Sequence, residues 1–136
     1  MKTYTLRGTL TATEAARQLV MDDGRYKHGF VISSFRVWGG PSVTSANVEA
    51  VLSRSSIAVT TMNADNSPVF AWAATMNTTT NGFTEWNILD PEHVVNEELH
   101  LHNVGATTLN YLIVMHDLTM SDEQGVLQLV KNQSQA

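Results

Sequence analysis

Cysteine is absent from this chain of 136 residues. A disulfide staple, a thiolate zinc site and a cysteine nucleophile are thereby excluded. Charge is scarce as well, with Asp, Glu, Lys and Arg making up 15% of the residues. Surface helices are usually rich in Glu, Lys and Arg, so the shortage favours strands and turns. Basic residues are rarest in the second half. Residues 69–136 hold one Lys/Arg against eight Asp/Glu, whereas residues 1–68 hold seven against five. The halves therefore carry −7 and +2, for a net charge of −5. An acidic chain without a basic cluster is a poor nucleic-acid binder, so no nucleic-acid partner is expected. Long apolar runs are missing too. Met1 to Arg7 alternates polar and apolar residues and reads as neither a signal peptide nor a membrane span. The expectation is a protein without a membrane partner that stays in the compartment where it is made. Finally, there is no Gly-x-Ser-x-Gly, no phosphate-cradling glycine loop and no dinucleotide fingerprint. Gly39-Gly40 lacks the third glycine and following helix that phosphate binding needs. These absences lead to the expectation of a non-enzymatic protein with no catalytic residues, no metal and no cofactor.

What is present reads as strand after strand. Tyr4, Leu6 and Leu10 alternate with Thr3, Thr5, Arg7 and Thr9, the period of a half-buried strand over Lys2 to Leu10. Ala15 to Met21 is apolar and stops at Asp22-Asp23-Gly24; it reads as a short strand, with a helical turn from Thr13 as the alternative. Phe30 to Trp38 is β-branched and aromatic, and ends at Gly39-Gly40-Pro41. Val48 to Leu52 suits helix or strand. Ile57 to Met62 alternates again, before a turn cluster at Asn63 to Pro68. In Val69 to Met76 the alternation puts Phe70, Trp72, Ala74 and Met76 on one face. Phe83 to Leu89 ends at Asp90-Pro91, and Val94 to Leu101 follows. Leu109 to Met115 is the most apolar run, as expected of a mid-sheet strand covered on both faces.

The last segment differs. Ser121-Asp122-Glu123-Gln124 has the form of a capping box, with acidic residues where the helix dipole favours them. Val126, Leu127, Leu129 and Val130 follow at helical spacing. A helix of about ten residues is marginal alone, so this stripe needs a partner surface. It either folds back on its own domain or docks on a neighbour. These four residues are the candidate interface. The expected fold is therefore all-β: an antiparallel, jelly-roll-like β-sandwich of about eight strands over 1–120, with a short C-terminal helix and tail over 121–136.

His100-Leu101-His102 places two imidazoles on one face of a strand, with Glu98 a step earlier. Such a face is half of a divalent-metal site. Cupins, double-sheet metalloenzymes, also use an H-x-H on a strand. Here the glutamate expected a few residues later is replaced by the turn Asn103 to Ala106, and the glycine-rich lead-in is missing. The plainer reading points Leu99 and Leu101 into the core and both histidines to solvent or a subunit interface. His28, His93 and His116 read as hydrogen-bonded surface residues. Trp38, Trp72 and Trp86 could form a sugar-stacking face; packing is the plainer reading, since each lies inside a predicted strand.

Three stretches carry a resemblance. Leu19 to Ile32 is a strand, a charged turn and the next strand. Trp86-Asn87-Ile88-Leu89-Asp90-Pro91-Glu92-His93-Val94-Val95 is followed by Leu99-His100-Leu101. Leu109 to Met115 precedes Ser121-Asp122-Glu123 and the helix ending near Gln135. In this order, over roughly residues 19–38 and 83–135, the chain resembles small jelly-roll or sandwich virion structural proteins of tailed phages and related viruses. Residues 40–80 match that pattern poorly. The resemblance implies a capsid cement, decoration or minor-capsid role. It also implies a homo-oligomer whose partners are itself and other capsid proteins, located in the virion and assembled in the host cytoplasm. It brings no catalytic residues. Two other classes stay open: a carbohydrate-binding sandwich of a receptor-binding appendage, and a cupin-like metalloenzyme.

Overall fold

The computed structural model describes residues 3–20, 28–40, 47–56, 59, 61–65, 68–78, 82–90, 92–95, 98–105 and 107–119. Among these, the alternating segments form β1 (Thr3–Leu10), β2 (Ala16–Val20), β3 (His28–Gly39), β4 (Val48–Ser53), β5 (Val69–Thr78), β6 (Gly82–Leu89), β7 (Leu99–Asn103) and β8 (Leu109–Thr119). No described residue is helical. The expected helix and the candidate interface Val126, Leu127, Leu129 and Val130 lie outside the described residues.

The strands make two antiparallel sheets. One has the order β1-β8-β3 and the other β2-β7-β4-β5-β6. Leu10, Phe35, Val37, Leu52, Leu99, Leu101, Leu109, Ile113 and Met115 are buried in the core shared by the two sheets. Fully burying one such side chain contributes about 1.5–3 kcal/mol, so this layer holds the sheets face to face. At one margin β3 and β6 meet. Arg36 makes a two-point ion pair with Glu85, at 2.6 and 2.8 Å, and Thr75 of β5 donates to the Val37 carbonyl of β3. At the opposite margin Arg17 of β2 pairs with Glu14 and donates to the Thr9 carbonyl and the Tyr111 hydroxyl.

Several expectations change. The ambiguous Val48 to Leu52 is strand β4, paired on both sides. Ala16 to Val20 is a strand, and Ala12 and Thr13 form only a turn before it. Val94 to Leu101 is interrupted: Val95 forms an isolated bridge with Phe30, and the strand begins at Leu99. Val59, Thr61 and Met62 lie outside any strand, while the rest of the 57–60 stretch is outside the described residues. The strict alternation of β5 fails at its start. A bulge opposite Leu52 and Ser53 puts Phe70 with Ala71 and Ala73 in the core between the sheets, and Val69 with Trp72 in a second cluster. β8 does lie mid-sheet, but only its odd-numbered face is buried; Leu112, Val114 and His116 are half-buried on the other.

Candidate functional site

Two surfaces of the sandwich gather polar and aromatic side chains. The first is the outer face of the five-stranded sheet. Strand alternation commits Leu99 and Leu101 of β7 to the core, so His100 and His102 face outward. Outward is not exposed here, because His100 is 6% and His102 1% accessible. This corrects the expectation that both point to solvent or a subunit interface, since both are buried within the chain itself. Val59 and Met62, from the segment joining β4 to β5, pack with Val51, Val69, Trp72 and Val104 to form a second apolar cluster over this face. The cover does not extend over β6, where Trp86 is 38% and Ile88 57% exposed.

On this face the histidines have fixed partners. Ser53 Oγ donates to the Ser55 carbonyl at 2.6 Å, and His102 Nε2 lies 2.7 Å from the same Ser53 oxygen. Nε2 also approaches the Ser55 carbonyl at 3.4 Å. With two oxygen acceptors beside it and the hydroxyl proton committed elsewhere, Nε2 carries the hydrogen and donates. Its lone pair is then not available to deprotonate Ser53, and Ser53 is itself fully buried. Burial holds the His102 imidazole below its ordinary pKa; the Ser55 carbonyl opposes this and the neighbouring His100 reinforces it. His100 Nε2 pairs with Glu98 at 2.9 Å. The two rings are tilted by 35°, with centroids 6.4 Å apart. Among the described residues no three His, Cys, Asp or Glu side chains come together as a metal-holding group. Buried donors on this face have no acceptor among the described residues: Arg54 Nε and Nη2, Ser55 Oγ and Trp72 Nε1.

His93 is also inside rather than on the surface. It is buried, with its ring stacked on Phe70 at 3.9 Å and 10°. The Asp90 side chain accepts from the Glu92 amide and the Asp90 carbonyl from the His93 amide, which forms the turn that delivers the ring. His116 is half-buried and bonds Thr3 Oγ1 at 3.1 Å. The His28 side chain lies outside the described residues.

The second surface is the outer face of the three-stranded sheet. Register places Thr9, Asn110 and Trp38 in one row across β1, β8 and β3, and Arg7, Leu112 and Arg36 in the next. These rows border an open groove of ≈ 470 Å³ lined by Arg7, Gly8, Thr9, Trp38, Asn110, Tyr111 and Leu112. Thr9 donates to Asn110 Oδ1 at 2.7 Å and fixes the amide. The three tryptophans therefore do not share a face. Trp38 lies in this groove, while Trp72 and Trp86 lie on the other sheet. Sequence reasoning missed the groove: the outward Thr9 and Arg7 were legible from alternation, but their neighbours depend on register. Comparison with known proteins finds no matching family model, no matching curated protein and no matching solved structure.

Proposed function

We propose that this chain is a jelly-roll virion structural protein that assembles through protein–protein contacts on or in a capsid, as a cement, decoration or minor-capsid component. The observation that carries the reading is the strand order. β1 lies beside β8, β2 beside β7 and β4 beside β5, and β3 meets β6 across the Arg36–Glu85 pair. Three of the four pairings of a rolled-up antiparallel hairpin are therefore present, while β3 and β6 meet through side chains and β6 pairs with β5; this supports a jelly-roll-like reading, an arrangement used by viral capsid domains, lectins and cupins. Fold alone does not choose among these, so the surfaces must. The cupin-like reading fits least, since the H-x-H of β7 faces away from the core between the sheets and is engaged by Ser53 and Glu98. The capsid reading draws on the three motif stretches and on β6, an edge strand with exposed Trp86 and Ile88. Exposed apolar edge strands suit pairing with another chain. Its partners are then further copies of itself and other capsid proteins. Particles purified from producing cells test the reading by quantitative mass spectrometry. The expected result is a fixed copy number of this chain per particle. Recovery of the chain only in the particle-free fraction overturns the reading.

A further inference from the structure

From the geometry of the outer groove we infer a saccharide-binding site, selective for sugars that carry a carboxylate. The groove is a two-by-three grid of side chains on three paired strands. Strand spacing makes it about 10 Å wide and about 7 Å long, the footprint of a disaccharide. Trp38 supplies the platform. It is only half-buried, and its outward side is the groove wall. A pyranose presents a face of C–H bonds and a rim of hydroxyls. The indole ring packs against the former, while short planar polar groups bond the latter. Asn110 is such a group, and it is held in place by Thr9 at 2.7 Å. Fixing the amide beforehand lowers the ordering cost of binding. Gly40 leaves room on the other side: a Cβ there would come 3.3 Å from Asn110 Nδ2.

Arg7 sets the charge preference. Two arginines flank Leu112 in one row, Arg7 on β1 and Arg36 on β3. Arg36 is neutralised by Glu85 at 2.6 Å. Arg7 has no hydrogen-bond or ion-pair partner among the described residues and lines the groove. In a chain of net charge −5, an unpaired guanidinium across the same groove from an indole selects an oxyanion carried on a ring that spans the two. A uronic-acid carboxylate fits that description. The site stands apart from the capsid reading: neither particle association nor its failure bears on sugar binding.

Isothermal titration tests it with three probes on the intact chain: a tetrasaccharide alternating glucuronic acid and N-acetylglucosamine, chitotetraose, and tetraglutamate. The acidic sugar should bind most tightly. Arg7→Gln should weaken it by about tenfold or more, the worth of one charge-assisted contact, and bring it level with chitotetraose. Trp38→Ala should weaken both sugars, and Trp38→Phe should restore part of the loss. Thr5→Ala, outward on β1 beyond the groove, should change nothing. Thermal melts check that each variant is folded, and the exposed Arg7→Gln keeps the test decisive if Trp38→Ala is not. No binding of the acidic sugar overturns the inference. So does equal binding by wild type and Arg7→Gln, or tetraglutamate binding as tightly as the sugar, which marks a site for acidic peptide.

Discussion

His102 of β7 and Ser53 of β4 are joined by a hydrogen bond of 2.7 Å, inside a seam where His102 is 1% exposed. The bond ties two central strands of the larger sheet on the side away from its main core. The burial of His102 also makes the fold sensitive to acid. Burial lowers the His102 pKa from the ordinary 6.5, so the folded state favours neutral imidazole. The unfolded chain then binds more protons than the folded one over the interval between the two pKa values. The stabilisation is complete above the unfolded value of about 6.5 and is lost as pH falls toward the folded value. Denaturation midpoints measured from pH 7.5 downward should drop across that interval. His102→Gln should be less stable at pH 7.5 and show a smaller drop. Parallel pH curves for the two proteins would mean that His102 does not carry the effect.

Tyr111 and Gly8 form a second dependence. They are opposite each other on β8 and β1, and a Cβ on residue 8 would lie 2.8 Å from the Tyr111 hydroxyl oxygen and 3.1 Å from Cζ. The phenol cannot move freely, because its ring is buried in the core and its oxygen lies 3.4 Å from Arg17 Nη1. Gly8→Ala should destabilise by about 1–3 kcal/mol, the range for overpacking a filled core. Combining it with Tyr111→Phe removes the closest contact and should recover part of that loss. Urea denaturation of the two single variants and the double variant measures the coupling.

Ile113 is a direct test of the main core. It lies at the centre of β8, fully buried and paired with Leu6 and Phe35 on the flanking strands. Ile113→Ala should cost about 2–5 kcal/mol, through lost burial and the cavity left behind. An unchanged denaturation midpoint would place the side chain outside the core.

These residues also show how far the sequence could be read. Period-two alternation placed Tyr4, Leu6 and Leu10 on one face of β1, and the apolar run of β8 marked it as a central strand. Both signals are local, and packing preserved them. The seam around His102 was not legible. Alternation says which face a side chain takes, and it does not say what covers that face. The partners that hold His102 come from Ser53 and Ser55, far along the chain, and the apolar cluster of Val59 and Met62 on the same outer face lies in a segment whose alternation suggested another strand. The bulge at Phe70 was hidden for a similar reason, since one extra residue inverts a face without changing composition. The groove of Arg7, Trp38 and Asn110 needed the register of three strands, two of them separated by most of the chain.

The segment after β8 gives the sharpest test of assembly. Among the described residues, every strand of both sheets lies between Thr3 and Thr119, as do the residues of the core between the sheets. A chain ending at Met120 retains all of these pairings. It should keep a β-rich circular dichroism spectrum and a cooperative melt. The sequence gives residues 121–136 a capping box and the apolar stripe Val126, Leu127, Leu129 and Val130. If that stripe anchors the protein to a neighbour, burying three such side chains contributes about 4–8 kcal/mol before the cost of ordering the segment. Repeated over the copies of an assembly, even a small net gain becomes decisive. The truncated chain should therefore fold normally and fail to join particles, as read by sedimentation with purified particles. Loss of the cooperative melt would instead assign the stripe to its own domain. Normal particle binding by a folded, truncated chain would remove it from the interface, and the search for the contact would move to Trp86 and Ile88 on the edge of β6.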